Sequence, residues 1–104
     1  MSNKNDQNLH LDVEINRLVH EPARLKILAY LSAVEKADFV FLVSRIGLTM
    51  GNLSAHISKL DEVGYIKVKK QFKDNRPHTM ITITEKGSDA FTRYREDILR
   101  IIGE

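Results

Sequence analysis

The 104-residue chain predicts a mainly α, α+β fold: short helices, then one small β-hairpin, then a closing helix. Three observations carry that reading. Apolar residues recur at spacings of three and four through the first sixty or so positions, the signature of amphipathic helices. The period then changes to two across YIKVKKQF and TMITIT, and returns to helical spacing towards the C-terminus. The length suits one modest core and no more, and 42% hydrophobic content is that of a globular chain rather than a disordered one.

The elements follow in order. Residues 1–8 are polar and are expected to be a flexible tail ahead of a single domain over 9–104. Leu11, Ile15 and Leu18 predict an amphipathic helix over 9–19. HEP at 20–22 interrupts it, and Pro22 suits the first turn of a second helix, where its missing N–H has no intrahelical partner to lose. That helix reaches about residue 34, with Ile27, Leu28 and Leu31 inward. EKAD reads as a polar connector. Asp38 is placed to cap a short helix over 39–46, which Gly47 ends by taking a left-handed conformation. Thr49 caps the next helix, whose Leu53, Ile57 and Leu60 form a buried stripe, and Gly64 closes it.

Beyond Gly64, Ile66, Val68 and Phe72 share one strand face. Asp74-Asn75 supplies a hairpin tip that tolerates positive φ, and Pro77 belongs at a strand end or edge. Thr84 caps a last helix over 85–102, where Ala90, Phe91, Tyr94, Ile98, Leu99 and Ile102 form a wide apolar stripe. Two helices separated by Gly-Leu-Thr, with a hairpin and a helix after them, give the layout of a winged helix-turn-helix.

The face of the helix at 49–63 points to function. With Leu53, Ile57 and Leu60 inward, at 100° per residue the outward arc holds Gly51, Asn52, Ala55, Ser58, Lys59 and Glu62, with Ser54 at its edge. A solvated helix face would carry more long charges. Small residues instead let a helix backbone sit deep in a DNA major groove, where Asn pairs with adenine edges, Ser reaches several bases and Ala touches the thymine methyl. Charge agrees. Residues 40–80 hold seven bases (Arg45, Lys59, Lys67, Lys69, Lys70, Lys73, Arg76) against three acids (Asp61, Glu62, Asp74), a net of +4, whereas the rest of the chain is net −2. A basic half of this kind faces a polyanion.

Asp38-Phe39, Gly47-Leu48-Thr49, Gly51-Asn52-Leu53-Ser54, His56, Lys59-Leu60 and Gly64-Tyr65-Ile66 stand in sequence, followed by Phe72, Arg76-Pro77, Thr79, Thr84, Gly87, Ala90-Phe91 and Tyr94. Over residues 38–94 this pattern resembles single-domain winged-helix transcriptional regulators of the MarR/ArsR-like group, departing from it at Met50. The resemblance implies a homodimer on a pseudo-palindromic double-stranded operator. Its recognition helix, 49–63, would enter the major groove through Asn52 and its neighbours, and its wing, 69–78, would lie on the minor groove. The expected DNA-binding residues are Thr49, Gly51, Asn52, Ser54, Ala55, Ser58 and Lys59 on the helix, with Lys69, Lys70, Lys73 and Arg76 on the wing. The two chain ends carry more apolar surface than one small domain can cover, so Leu11, Ile15, Leu18, Phe91, Ile98, Leu99 and Ile102 are expected at the dimer interface.

Other classes are disfavoured. No apolar run approaches the roughly 20 residues that span a bilayer, and the N-terminus lacks a secretion signal, so a cytoplasmic regulator is expected. The chain has no cysteine, which excludes disulfides and the thiolate metal sites of some ArsR-type sensors. His10, His20 and His78 show no ligand spacing and are read as structural, and no cofactor is expected. His56 lies beside the buried stripe, where packing and DNA contact are both open. No nucleophile–base–acid arrangement or phosphate-cradling loop is present, so the chain is not read as an enzyme. The competing reading is a winged helix that docks only proteins, but such a face should present aromatic and aliphatic groups rather than Lys and Ser. No effector class is implied.

Overall fold

Pro22 opens α1 (Pro22–Val34) as its first residue, and the Glu21 side chain accepts from the Arg24 backbone N–H to cap it. The computed structural model describes residues 9–103, so the expected tail at 1–8 lies outside the described residues. The element order is α1, β1 (Lys36–Asp38), α2 (Phe39–Ile46), α3 (Met50–Glu62), β2 (Ile66–Lys73), β3 (Arg76–Ile83) and α4 (Glu85–Ile102). This is the α+β winged helix-turn-helix that the sequence predicts, with two differences.

First, residues 9–19 form turns rather than a helix. Asn16 explains the outcome: its side-chain oxygen accepts from the backbone N–H groups of Leu18 (3.0 Å) and Val19 (3.1 Å), a local bond that competes with a helical ladder. Its amide donates to the Tyr65 hydroxyl at 3.2 Å, and His10 N–H bonds the Arg100 carbonyl at 3.1 Å. Most of the apolar residues still point inward: Val19 is fully buried, while Ile15 and Leu18 pack on the core, whereas Leu11 is exposed. Second, the EKAD connector contains a strand. Lys36, Ala37 and Asp38 pair antiparallel with Thr82, Ile81 and Met80, giving the sheet order β1-β3-β2. Glu35 turns the chain into that strand at φ 73°.

The core gathers Ile27, Leu28 and Leu31 of α1, Leu42 of α2, Leu53, Ile57 and Leu60 of α3, and Ile66 and Ile81 of the sheet, with Tyr94 of α4 closing it. Each aliphatic residue of this kind contributes about 1.5–3 kcal/mol when buried. Between α2 and α3 the turn is set by Gly47 at φ 81°, whose N–H returns to the Val43 carbonyl, a conformation that costs a residue with a Cβ about 1–2 kcal/mol. The α4 helix is held close to the sheet at Gly87, where an added Cβ would collide with the Tyr65 carbonyl.

The hairpin is a regular ladder from Ile66↔Ile83 out to Lys73↔Arg76. Asp74 and Asn75 join its strands with φ of 54° and 60°, as a two-residue turn of the type that needs positive φ at both positions. Pro77 sits in β3 where β1 no longer pairs, so its missing donor leaves no ladder bond unmade on that side.

Candidate nucleic-acid interface

The outer face of α3 is open. Thr49, Gly51, Asn52, Ser54, Ala55, Ser58 and Lys59 are all exposed, whereas Leu53, Ile57 and Leu60 are buried beneath them. The Thr49 hydroxyl accepts from the Asn52 backbone N–H at 3.1 Å, so it is engaged in holding the first turn while its residue also borders the open face. A Cβ built on Gly51 meets nothing within 4 Å. The glycine is therefore not required by packing inside the chain.

Beside this face stands the hairpin. Lys69, Lys70, Lys73 and Arg76 are exposed, and the register divides them between the two sides of the sheet. Val68, Lys70 and Phe72 lie on one side, opposite Ile81, Thr79 and Pro77; Lys69 and Lys73 lie on the other, opposite Met80 and Arg76. An open trough of about 450 Å³ runs between α3 and the hairpin, lined by Met50, Ser54, Ser58 and Asp61 from the helix and by Val68, Lys70 and Thr79 from the strands. Seven of the eleven expected DNA-binding residues thus lie on the open side of α3 and Lys70 borders the trough beside it, whereas Lys69, Lys73 and Arg76 lie on the other face of the hairpin. Among long side chains there, cations outnumber acids, and no ion pair among the described residues involves these five helix and hairpin cations.

Residues outside the expected set support the helix from behind. Arg24 reaches from α1 to donate its Nε–H to the Leu18 carbonyl at 2.6 Å, and its Nη1 lies 3.3 Å from His56 Nδ1. Glu21 Oε1 stands 3.9 Å from the same nitrogen. Burial pushes the Glu21 carboxyl up, but the Arg24 backbone N–H, the His56 charge and further neighbours outweigh it and hold the group below the usual glutamate range. His56 therefore ties α3 to the start of α1. A second link joins Asp38 and the hairpin: Asp38 Oδ2 accepts from Val40 and Phe41 N–H at the start of α2, while Oδ1 lies 3.2 Å from His78 Nδ1. Sequence spacing shows neither link, since the partners lie 32 and 40 positions apart. His20 Nδ1 is likewise 2.7 Å from the Tyr94 hydroxyl. Among the described residues no group of three His, Asp or Glu is placed to hold a metal ion, and no helix is long and apolar enough to cross a membrane.

The residues expected at a dimer interface divide into two kinds. Ile15, Leu18, Phe91 and Ile98 are half-buried and pack on the subunit's own core. Leu11 and Ile102 are 74% and 64% exposed. Leu99 lines a shallow apolar groove of about 190 Å³ with Leu25, Phe91, Tyr94, Arg95 and Ile98. Both chain ends meet here, through the His10–Arg100 backbone bond and the close approach of the Leu9 side chain to Gly103.

Comparison with known proteins agrees with this architecture. Residues 23–102 match the family described as winged helix DNA-binding domain. An uncharacterized protein of Methanocaldococcus jannaschii is 39% identical over 85 residues, spanning 82% of this chain and 92% of its own length. The structure of a transcriptional regulator homologue from Pyrococcus horikoshii OT3 is 32% identical, with a TM-score of 0.80 over 84% of this chain and 86% of that one. The transcriptional regulator BldR from Sulfolobus solfataricus shares the fold at 21% identity and a TM-score of 0.64, covering 95% of this chain and 66% of its own. With its threonine-capped second helix of the helix-turn-helix, its basic hairpin and these relatives, the chain belongs to the winged helix DNA-binding domain family.

Proposed function

We propose that this protein is a sequence-specific transcriptional regulator that binds a pseudo-palindromic duplex as a homodimer, with α3 in the major groove and the hairpin wing on the minor groove. The observation that carries the reading is the outer face of α3: short, neutral and open, with Gly51 unconstrained by any neighbour. The hairpin cations beside it supply the attraction to phosphate, and Asn52, Ser54, Ala55 and Ser58 supply the base contacts. Two copies are needed because one helix reads too few base pairs for useful genomic specificity, and a two-fold axis places two such helices about 34 Å apart, one turn of the duplex. Leu11 and Ile102, both exposed, and the apolar groove at Leu99 are the surface available for the second copy without disturbing the core. AbfR, which shares this fold, was solved bound to DNA, which supports DNA as the partner by fold alone.

The test is selection of genomic duplexes followed by titration over a salt series. About eight phosphates neutralised by a dimer give a log–log slope near −7, at about −0.9 per phosphate. Binding that ignores salt, or no binding to any duplex, overturns the reading. Leu11→Ser with Ile102→Ser should convert the dimer to monomers in sedimentation and lose specific binding with the fold intact. A double variant that stays dimeric removes the interface assignment and leaves the DNA reading standing.

A further inference from the structure

Phe72 is 72% exposed, an unusual place for an aromatic ring on the edge strand of a sheet, where apolar surface invites association with other chains. The register explains where it points. The face holding Phe72 starts at the core with buried Ile66 and Ile81, continues through Val68, Lys70 and Thr79 along the trough beside α3, and ends at the Phe72↔Pro77 rung. At about 3.3 Å per residue, that rung stands about 7 Å further out than Lys70. Pro77 stands opposite Phe72 in the register, and most of the ring is open. The hairpin does not depend on it for closure, because the Asp74-Asn75 turn already fixes the register. Between Ile66 and Ile83 the hairpin carries five cations, Lys67, Lys69, Lys70, Lys73 and Arg76, and a single acid, Asp74. An apolar tip ringed by cations and set beyond the end of the helix trough matches a polyanion that has an apolar interior within reach.

We propose that Phe72 and Pro77 form a wedge that enters the minor groove of the bound duplex and pries apart one base step. The proposal rests on the DNA-binding reading above and deepens it. Minor-groove proteins use Phe and Pro in this way, unstacking a step and bending the duplex towards the major groove. Pyrimidine–purine steps open at the lowest cost, so the wedge selects a TA or CA step in the flank, at a position that α3 does not touch. Lys70, Lys73 and Arg76 hold the phosphates on either side while the ring is in place.

The experiment uses full-length protein and a duplex recovered by selection, with 2-aminopurine replacing one adenine of the flanking TA step. Wild-type binding raises the 2-aminopurine emission as its neighbour unstacks. Phe72→Ala abolishes the rise and weakens binding about tenfold on the TA flank, while the salt slope is unchanged because no charge has been removed. Phe72→Leu, which keeps an apolar wedge, restores most of both signals. On a duplex trimmed to end before the wing, Phe72→Ala and wild type bind alike. Wild-type binding with no change in emission overturns the wedge and leaves the regulator reading intact. So does Phe72→Ala that binds as wild type, or a loss on every duplex that Phe72→Leu does not rescue, which would assign the ring to hairpin shape. Wild-type protein that binds no duplex removes both.

Discussion

The first turns of α3 and α4 are built alike and serve opposite ends. Each begins with a threonine whose hydroxyl accepts a backbone N–H three residues on, Thr49 from Asn52 at 3.1 Å and Thr84 from Gly87 at 3.0 Å. Each places a glycine within that turn. In α4 the glycine is buried and a Cβ there would strike the Tyr65 carbonyl, whereas in α3 the glycine is exposed with open space before it. One glycine is explained by the fold. The other costs helix stability and has no packing reason within the chain, which fits the close approach of DNA proposed for that face.

The largest effect should come from breaking the α4 turn. Gly87→Ala forces helix and strand apart and should lower stability by about 1–3 kcal/mol or more, read as a lower urea midpoint. Sequence-specific contacts are untouched, so the folded fraction should bind DNA normally. Retained stability would mean that α4 can shift without consequence and that the two turns differ less than their geometry says.

Substitution on the α3 turn should do the reverse. Asn52→Ala should leave the urea midpoint in place and cost about 1–3 kcal/mol on the preferred duplex, with relaxed preference at particular base pairs. Arg76→Ala, from the wing, is the comparison: it should weaken all sequences more evenly and flatten the salt slope by about one unit. If both variants lose affinity evenly across sequences, α3 is not the reading element. Gly51→Ala sharpens the contrast with Gly87 directly. It should raise stability by about 0.5–1 kcal/mol and weaken DNA binding through a methyl group between helix and groove. A stabilised variant with unchanged affinity would show that nothing approaches closely there.

The smallest effect concerns a third helix start, capped by charge instead of hydroxyl. Glu21 caps α1, and its carboxyl is held below the usual range. A depressed folded-state value means that the contribution is complete above the ordinary glutamate pKa and is lost as pH falls through the lower folded one. Glu21→Gln should therefore cost up to about 1 kcal/mol near neutrality and almost nothing in strong acid. The Thr49 and Thr84 caps should show no such dependence. Equal losses at both pH values would assign the effect to packing.

What could be read from the sequence follows from the range of the interactions involved. The helices α1 to α4, their caps and the hairpin turn were legible because each is decided within a few residues, by Pro22, Asp38, Gly47, Thr49, Asp74-Asn75 and Thr84. The open α3 face was legible for the same reason, since 100° per residue fixes which side Gly51, Asn52 and Ser58 take once Leu53 and Ile57 are inward. The helix expected over 9–19 was misread because its apolar spacing is real but Asn16 bonds its own neighbours and Tyr65. The β1 strand was missed because three residues carry no period, and only pairing with β3 defines it. The Glu21–Arg24–His56 and Asp38–His78 links join distant positions, and no local pattern announces them.

Asp38 has a consequence for the geometry of recognition. One carboxylate starts α2 and grips His78 on the hairpin, and its backbone is a rung of the sheet opposite Met80. The helix-turn-helix and the base of the hairpin are thereby fixed to one frame, with α3 on one arm and the wing on the other. Such a frame acts as a caliper. On the proposed mode of binding its opening would be set by the protein, so a duplex would fit best when its twist and groove widths bring a major-groove half-site and the adjoining minor groove to that span. Base pairs lying between the two arms, touched by neither, then contribute to selection through the cost of bringing the duplex to gauge.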